Sequence, residues 1–528
     1  MSSHIPVLII GAGPTGLLMG CELARRGIPF RILDKKPERT LTANAVGIQT
    51  RTLELLDNLG LAHQFIKLGH ECQGIHLHEN GKDLARLSFD TLDSTYHFIL
   101  ALPQSETERL LTEYLNELKH EVERPLELTA LQQQDQGLSC TLSSLEDGHS
   151  ETLSCDWLIA CDGANSKVRE LCQIPFPGED LSEQFMVANT EMSSFLSTNE
   201  VHLFFNPGTL LATIPFGSHS FRVALNLHQS PRKFLIEKEV KEFIQERAHG
   251  DYDVNSVSWI SPFWIHSKIV KQLRYSSIFL AGDAAHIHSP AGAQGMNTGL
   301  QDAYNLAWKL ALVIQGRAKL ELLDSYQQER YPIVSQVVKR SERFTKMILL
   351  QNPVLMKLRN LLLKLLSKRP RLAKKIIMQL TQLSLRYKKS PIINYDDNIS
   401  PKAPRPGERV PDVFINQSAR LHAYLRTIQH KVLLFAGPAA KEKDLAKLKE
   451  LQQWLNQHYS ETIKTFVVTE KKLDSLENLI LDERAAIHKR YHVKAPALYL
   501  IRPDNYIAYC SKNLDPAGLK QILESYLT

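Results

Sequence analysis

Long apolar segments are missing from this chain of 528 residues. No apolar run approaches the roughly 20 residues that a membrane-spanning helix requires. The first residues also lack the charged region and the apolar segment that mark a secretory signal peptide. We therefore expect neither a membrane-spanning protein nor a secreted one.

Cysteine is scarce, and its pattern excludes two classes of small site. The cysteines are scattered, odd in number and never spaced as CxxC, which argues against a disulfide framework and against a zinc site. A reducing, cytoplasmic location fits this pattern, and we predict no metal site. The seven positions are Cys21, Cys72, Cys140, Cys155, Cys161, Cys172 and Cys510.

A strong net charge is missing as well. The 63 Lys and Arg exceed the 57 Asp and Glu only slightly, giving a net charge of +6. A charge this small gives no reason to expect a nucleic-acid partner. The 43% hydrophobic content is ordinary for a globular protein, and the length predicts about two to four domains.

The charge is nevertheless unevenly placed. Residues 343–395 contain thirteen Lys or Arg and no acidic residue. Apolar residues recur there at helical spacing, namely Leu355, Leu358, Leu362, Leu365 and Leu366, while Lys357, Lys364, Lys368 and Arg371 fall on another face. We interpret this stretch as an amphipathic helix that packs on the protein and exposes a basic face. A helix that binds a membrane surface or a partner is the alternative that we do not favour.

A βαβ unit opens the chain. Residues 5–10 form a short apolar run typical of a buried strand, a glycine-rich turn and a helical pattern follow, and residues 28–33 form the next strand. Residues 156–160 and 277–281 are two further short strands, and each leads into a glycine-containing loop.

Other segments indicate additional layers. Alternating apolar and polar positions in residues 71–102 and 185–264 predict antiparallel sheet. Helices continue from Leu300 to about Tyr387, and a Pro-rich connector at residues 401–411 marks a domain boundary. Beyond it, strands and a helix alternate, with strands predicted at 431–435, 463–468, 497–501 and 506–510 and the helix at 441–458.

The first candidate site is Gly11-Ala-Gly13-Pro-Thr-Gly16, directly after the first strand. Small residues let the backbone approach a pyrophosphate, whose charge is favoured by the N-terminus of the following helix. Asp34 ends the second strand, where a carboxylate can accept hydrogen bonds from a ribose hydroxyl. The pattern predicts a dinucleotide site without choosing between FAD and NAD.

Two more loops add to this site. Cys161-Asp162-Gly163-Ala-Asn-Ser166-Lys-Val-Arg169 follows a strand and, taken alone, is equally consistent with a simple turn or helix cap. The stretch from Gly282-Asp283 through Pro290 to Gly295-Met296-Asn297 is the most specific in the chain. Its carboxylate can bind a second sugar or ribityl hydroxyl, and its glycine-broken loop presents amide N–H groups to an electron-rich ring.

Together these three stretches resemble the class A flavoprotein aromatic hydroxylases, the group of para-hydroxybenzoate hydroxylase and phenol hydroxylase. The family has a GxGxxG motif, a DG fingerprint that Asp162, Gly163, Ser166 and Arg169 match, and a GD fingerprint that Gly282 and Asp283 match. The resemblance covers residues 4–400 and includes the segments 51–60, 102–111 and 325–332. It implies that Gln104 contacts FAD and that the backbone of Pro290 faces the substrate pocket.

The resemblance also implies a fold of the α/β (α+β) class. We expect a Rossmann-like FAD-binding domain with an inserted, mainly antiparallel β-sheet substrate domain, a helical segment and a C-terminal thioredoxin-like α/β domain. The C-terminal match rests on residues 406–411 and on Tyr499 to Tyr506. The expected boundaries are 1–70 with 103–180 and 270–345 for FAD, 71–102 with 181–269 for the substrate, 346–400 for the helices and 401–528 for the last domain.

The resemblance implies the chemistry too. A reduced nicotinamide, NADPH or NADH, delivers hydride to the flavin, and O₂ then forms a C4a-hydroperoxyflavin that hydroxylates a small aromatic substrate, which we expect to be phenolic. The sequence departs from the family at Asn44 and Ser277, where many relatives have arginine, and at Ala293, where a second glycine is usual. These departures bear on nicotinamide preference and on the pocket.

No catalytic side chain is assigned from the sequence. His286 and His288 are interpreted as structural histidines, while Tyr96, His97 and Tyr275 are predicted to form pocket walls. Three alternatives stay open: hydroxylation of a quinone precursor, modification of an antibiotic, and a non-catalytic FAD-binding protein. A monomer or homodimer is expected.

Overall fold

A largely parallel first sheet is built from the apolar runs at the strand positions noted above. The strand order is β17 (Arg274–Tyr275), β18 (Ile278–Leu280), β11 (Ser150–Ala160), β1 (Ser3–Ile10), β2 (Phe30–Leu33) and β8 (Val122–Glu123), and β10 (Leu138–Ser144) and β9 (Leu126–Gln133) extend the sheet from β11. Val7 to Ile10 are buried, as expected for strands covered on both faces. The predicted βαβ unit is confirmed, because β1 and β2 pair in parallel with Val7 opposite Phe30.

The computed structural model describes residues 3–39, 45–193, 196–227, 235–250, 252–290, 292–394, 399–416, 419–438, 440–472, 476–512, 514 and 516–528. Asn44, one of the departures from the family, lies outside the described residues.

The strands are β1 (Ser3–Ile10), β2 (Phe30–Leu33), β3 (Gly47–Ile48), β4 (His70–Cys72), β5 (Gly74–Glu79), β6 (Lys82–Ser88), β7 (Ile99–Ala101), β8 (Val122–Glu123), β9 (Leu126–Gln133), β10 (Leu138–Ser144), β11 (Ser150–Ala160), β12 (Gly178–Ser193), β13 (Glu200–Asn206), β14 (Thr209–Pro215), β15 (Ser220–Asn226), β16 (Asp253–Ile269), β17 (Arg274–Tyr275), β18 (Ile278–Leu280), β19 (His286–Ile287), β20 (His430–Phe435), β21 (Ile463–Thr469), β22 (Leu479–Leu481), β23 (Ala497–Ile501) and β24 (Ile507–Ser511).

The α-helices are α1 (Pro14–Ala24), α2 (Thr50–Asn58), α3 (Ala62–Leu68), α4 (Gln104–Glu117), α5 (Lys167–Leu171), α6 (Glu237–Ala248), α7 (Gly295–Ile314), α8 (Asp324–Ile348), α9 (Pro353–Ser367), α10 (Pro370–Leu380), α11 (Leu421–Tyr424), α12 (Glu442–His458), α13 (Ala486–Tyr491) and α14 (Pro516–Tyr526).

The second sheet has the order β19-β16-β12-β15-β14-β13-β5-β6. Its pairings are antiparallel except where β13 runs parallel to β5, so the expectation of a mainly antiparallel inserted sheet is confirmed. The strands β3, β7 and β4 form a third, small sheet. It takes residues 70–72 and 99–101, at the edges of the segment expected to form the inserted domain, and the exact boundaries stay a prediction.

The C-terminal part has the mixed order β22-β21-β20-β23-β24. The strands and the helix predicted there form within a residue or two of the expected positions, and β22, α13 and α14 complete the unit. Its core merges with the first part of the chain, because Trp308 and Leu322 pack in the same apolar cluster as Leu434 and Leu500.

The helical segment forms as expected, but the packing predicted for its leucines is wrong. Leu355, Leu358, Leu362 and Leu365 of α9 are 46–51% exposed. The residues that α9 buries are Met356, Arg359 and Asn360. In the described part of the chain, no helix is both long and apolar enough to cross a bilayer.

Candidate active site

Three loops leave the first sheet at one edge. Ile10, Ala160 and Leu280 lie side by side in the parallel pairings of β1, β11 and β18. Because the carboxyl ends of parallel strands share an edge, the loops that begin at Gly11, Cys161 and Ala281 converge there. Ligands of open α/β sheets bind outside this edge.

A cavity of ≈ 610 Å³ lies beside this edge and reaches the second sheet. Most of the site residues predicted from the sequence line it, namely Gly11, Gly13, Asp34, Gln104, Asp162, Gly163, Asp283, Pro290, Gly295 and Met296. The four that do not line it are Gly16, Arg169, Gly282 and Asn297. These four lie behind the loops and contact them, as described below.

The glycines of the first turn differ in what they do. Gly11 has φ +98°, and a Cβ there would lie 2.4 Å from the carbonyl oxygen of Cys161. A Cβ on Gly16 would lie 1.9 Å from the oxygen of Gly11, so both positions allow close packing of the turn. A Cβ on Gly13 would meet no atom beyond its chain neighbours within 4 Å. Gly13 therefore borders open space at the N-terminus of α1.

Asp34 is oriented by three contacts. Its Oδ2 accepts a hydrogen bond from the amide of Ala12 at 2.8 Å, and its Oδ1 accepts one from the amide of Lys36 at 2.9 Å. The Arg124 Nη1 lies 3.5 Å from Oδ1. Arg124 also lines the cavity, and sequence reasoning missed it because it follows no recognisable motif.

Arg169 fastens the second loop to the third. Its Nη1 donates to the carbonyl of Ala284 at 2.7 Å, and its guanidinium lies over the ring of Phe176 at 4.0 Å. The same arginine also donates to the carbonyl oxygens of Gly163 and Ala164. The predicted fingerprint arginine thus holds the loops in place and does not face the cavity.

Two carboxylates remain available to a ligand. Asp162 accepts a hydrogen bond from the amide of Val168 through Oδ2 at 3.1 Å, and its buried Oδ1 has no hydrogen-bond partner among the described residues. The Asp283 side chain is exposed to the cavity, and protein atoms surround it on its other sides. Burial raises the pKa of both carboxyl groups, Asp162 and Asp283. These acids fit a ligand rich in hydroxyl groups, as the ribityl and ribose parts of FAD are.

The third loop is held from behind by Asn297. Its Nδ2 donates to the carbonyls of Gly47 at 2.8 Å and Ala293 at 2.9 Å, and its Oδ1 accepts from the amide of Gln49 at 2.8 Å. Gly282 has φ +59° and packs on Thr15. Ala293, where relatives have glycine, has φ +51°, a conformation that costs an alanine more than a glycine.

His286 and His288 are not equivalent. The Nε2 of His286 lies 2.7 Å from Oδ2 of the buried Asp302, in keeping with a structural role. His288 lines the cavity, and its Nδ1 donates to the carbonyl of Ser289 at 2.8 Å. Its Nε2 therefore carries a lone pair, and this buried atom has no partner among the described residues. Burial lowers the pKa of His288 to about 4, so the ring is neutral at physiological pH.

The second sheet forms the far wall of the cavity with Val187, Ile214, Ala224, Phe263 and Arg222. The Arg222 side chain is only 2% exposed. Its Nε donates to Oδ1 of Asn189 at 2.7 Å. Burial lowers the pKa of Arg222 to about 10, which leaves it charged at neutral pH. No sequence signal identified this cation.

The pocket walls predicted from the sequence are wrong. Tyr96, His97 and Tyr275 are not among the described residues that line the cavity. Tyr96 is buried against the C-terminal part, where the guanidinium of Arg420 lies 5.7 Å from its ring centre. His97 is exposed.

Comparison with known proteins gives consistent matches. The FAD binding domain family matches residues 4–341. The chain is 31% identical over 523 residues to 6-methylpretetramide 4-monooxygenase of Streptomyces rimosus, covering 95% of this chain and 90% of that protein. It is 29% identical over 515 residues to pentachlorophenol 4-monooxygenase of Sphingobium chlorophenolicum, covering 96% and 94%.

A solved structure matches the whole chain. The anhydrotetracycline hydroxylase OxyS from Streptomyces rimosus superimposes with a TM-score of 0.78 at 28% identity, covering 99% of both chains. The match extends through the C-terminal part of the chain.

Proposed function

The chain belongs to the FAD-binding family of flavoprotein aromatic hydroxylases, and we propose that it hydroxylates a phenolic compound in this cavity with NADPH or NADH as electron donor. One atom of O₂ enters the aromatic ring and the other leaves as water, while the nicotinamide supplies two electrons. The observation that carries the proposal is that one cavity joins the three strand-end loops to a sheet wall containing a buried cation.

We assign the cofactor contacts from what each residue offers. The open space at Gly13 and the N-terminus of α1 suit the pyrophosphate. Asp34 suits a ribose, and Asp162 and Asp283 suit hydroxyl groups further along the cofactor. Gln104, Pro290, Gly295 and Met296 complete the set. Bound FAD supplies the hydride and oxygen chemistry, and the protein supplies binding, orientation and a dry cavity.

Arg222 and His288 act on the substrate in this proposal. A buried guanidinium stabilises an anion, so Arg222 favours the phenolate form of a bound phenol. A phenolate ring is richer in electrons and therefore a better acceptor of an oxygen atom. The lone pair on Nε2 of His288 can accept a hydrogen bond from a substrate hydroxyl. Its low pKa makes it a poor base, so its role is orientation.

The test is a stopped-flow screen of phenols with the FAD-loaded protein. A substrate should accelerate oxidation of NADPH or NADH and yield a product that carries one atom from ¹⁸O₂. Hydrogen peroxide is measured in parallel, and comparison of the two nicotinamides settles the donor. If every phenol only raised peroxide and none gave a labelled product, the proposed function would be wrong.

The screen includes phenols with one ring and with several fused rings. The names of the relatives specify pentachlorophenol in one case and 6-methylpretetramide in another. A multi-ring product would assign this chain to antibiotic modification, the alternative that the sequence left open. The expectation of a monomer or homodimer stays a prediction.

A further inference from the structure

Three buried histidines form a cluster on the second sheet, away from the cavity. His202 lies opposite Thr213, the neighbour of the cavity residue Ile214. Successive residues of a strand point to opposite faces, so His202 faces away from the cavity. His76 lies opposite His202 in the parallel pairing of β5 and β13, and His78 follows two residues later on the same face. One ring nitrogen of each lies within 4.8 Å of the other two.

Hydrogen-bond partners fix which nitrogens carry protons. The Nε2 of His202 lies 2.9 Å from the carbonyl of Ser197, so its Nδ1 has the lone pair. The Nε2 of His76 lies 3.1 Å from Oδ1 of Asp83, so the Nδ1 of His76 also has a lone pair. The Nε2 of His78 lies 3.0 Å from Nδ1 of His202 and donates its proton to that lone pair.

His78 is the residue that this arrangement leaves poorly satisfied. When its proton is on Nε2, the lone pair on Nδ1 lies 3.6 Å from the carboxylate of Asp83. A cation bound between His78 and His202 would replace the proton that lies between them, and the proton of His78 would then sit on Nδ1 facing Asp83. All three outer N–H groups would have acceptors, which is the arrangement that metal-bound histidines show.

A carboxylate nearby could balance the charge of a metal ion. The Oε2 of Glu200 lies 3.8 Å from Nδ1 of His76 and is buried with no hydrogen-bond partner among the described residues. Arg86 donates to Nδ1 of His76 at 3.3 Å and lies 3.6 Å from Oε2 of Glu200. Its side chain is 62% exposed, so a metal ion at this position would have to displace the guanidinium towards solvent.

We propose that His76, His78 and His202 bind a divalent transition metal, Zn²⁺ being the ion that three imidazoles and one further oxygen suit best. The site would join β5 to β13, next to the edge strand β6, and would stand apart from the flavin chemistry. The expectation of no metal site rested on the cysteines alone and did not consider these histidines.

The test uses the full-length, FAD-loaded chain without an affinity tag. After dialysis against ZnCl₂ and removal of loose metal, mass spectrometry of the elements should find close to one zinc per chain. A competing chromophoric chelator then gives the dissociation constant. His78→Gln should weaken binding at least about tenfold, and the exposed His149→Gln should leave it unchanged.

Two outcomes would overturn the proposal. One is a wild-type protein that retains no zinc in the presence of micromolar ZnCl₂. The other is a His78→Gln variant that binds zinc as tightly as the wild type. Flavin content of the variant reports whether it folds, and the wild-type stoichiometry decides the question even if it does not.

A second, independent inference concerns α9, which faces outward with its apolar side. The side held by the protein contains Met356, Arg359 and Asn360. Arg359 donates to the carbonyls of Met347 at 3.3 Å and Ile348 at 3.1 Å, and Asn360 donates to Glu79. Six exposed apolar side chains occupy an arc of roughly 120° on the opposite side. They are Val354 (73% exposed), Leu355 (47%), Leu358 (51%), Leu361 (54%), Leu362 (49%) and Leu365 (46%).

Positive charge borders this apolar arc. Lys357, Lys364 and Lys368 follow one flank of α9 at helical spacing, and all are exposed. None of the three forms an ion pair within the described part of the chain. A second copy presenting the same lysines would be repelled, whereas an anionic lipid surface would attract them.

We propose that α9 docks on the surface of an anionic lipid bilayer, its leucines in the acyl boundary and its lysines at the headgroups. The test is co-sedimentation of the FAD-loaded protein with vesicles of equal parts phosphatidylglycerol and phosphatidylcholine. Lys357→Gln/Lys364→Gln should weaken partitioning about 30-fold. Leu358→Ser/Leu362→Ser should weaken it at least about tenfold, and Leu145→Ser, an exposed leucine elsewhere, should not.

Several results bear on this second proposal. Loss of vesicle binding in high salt supports it, as does wild-type behaviour of Lys443→Gln/Lys447→Gln on α12. Equal binding to pure phosphatidylcholine vesicles would overturn it, as would no binding to either vesicle. A dimer in sedimentation velocity that Leu358→Ser/Leu362→Ser converts to monomer would show that a second copy covers α9, and would also overturn it.

Discussion

Gly11 and Gly13 belong to the same turn, yet alanine should affect them in different ways. At Gly11 the backbone has φ +98°, and an added Cβ would lie 2.4 Å from a carbonyl oxygen. We expect Gly11→Ala to lower the free energy of unfolding of the FAD-free protein by more than about 3 kcal/mol. At Gly13 the backbone has φ −74°, which alanine adopts readily. A Cβ added there would meet no atom beyond its chain neighbours within 4 Å. Gly13→Ala should therefore change that free energy by less than about 0.5 kcal/mol.

Gly13→Ala should affect FAD binding, although it leaves the stability of the FAD-free protein almost unchanged. If the pyrophosphate fills the open space, a methyl group there costs about 1–3 kcal/mol of binding, or roughly 5- to 150-fold in the FAD dissociation constant. Titration of FAD-free protein, followed by quenching of flavin fluorescence, measures this constant, and urea denaturation measures stability. Gly217→Ala, in the turn between β14 and β15, is the matched control. Wild-type FAD affinity in Gly13→Ala would refute the assignment of the pyrophosphate site.

Three further predictions concern buried charge. Arg222→Gln should lower kcat/KM for a phenol about 10- to 150-fold, because a charge-assisted contact of ~1.5–3 kcal/mol is lost. Arg222→Lys keeps a positive charge and should retain part of that kcat/KM in steady-state kinetics. Equal losses of kcat/KM in the two variants would contradict a role for the charge. The Arg330 guanidinium lies 2.7 Å from Oδ1 of Asp302, and Asp302→Asn leaves it without its anion. This substitution should lower the free energy of unfolding, measured by urea denaturation, by about 3–5 kcal/mol. Asp324→Asn, at an exposed position, should lower it by at most about 1 kcal/mol. Burial lowers the pKa of His430 to about 3, so between pH 7 and pH 5.5 the unfolded state gains a proton that the folded state does not. Over this pH range the wild type should lose about 1.3 kcal/mol more stability than His430→Gln. The same loss in both proteins would contradict this pKa.

The edge of the first sheet was predictable because local sequence determines it. A short apolar run followed by a glycine-containing loop predicts a strand and the turn that ends it, and parallel strands end on the same side. This is why Gly11, Asp162 and Asp283 could be placed together from the sequence. Their individual contacts with the cofactor stay predictions.

The far wall of the cavity was not predictable in this way. Alternation along β15 places Arg222 and Ala224 on one face of the strand, but the pattern does not say which face meets the cavity. That depends on the register between β15 and its neighbours and on how the second sheet packs against the first. The same limit applies to α9, where periodicity grouped the leucines correctly but could not show that Arg359 and Asn360 turn that group outward.

The C-terminal domain shows how separate motifs combine. The resemblance identified segments around Arg51, Glu329 and Arg502 independently, hundreds of residues apart. In the structure, Nη2 of Arg502 donates to Oε2 of Glu329 at 2.9 Å, and Nη2 of Arg51 donates to the carbonyl of Asp504 at 2.9 Å. Lys309 of α7 completes the network 2.7 Å from Glu329.

This network shows how the C-terminal part of the chain is attached to the rest of the protein. Its charges are fully buried, and such groups are tolerated only when each is paired. The helix that carries Lys309 is α7, which begins at the cavity residues Gly295 and Met296. The C-terminal part is therefore linked through Glu329 to the helix whose first turn borders the cavity. Because a helix held in this way fixes where its N-terminus presents amide groups, we expect the C-terminal part to contribute to the cavity by positioning α7.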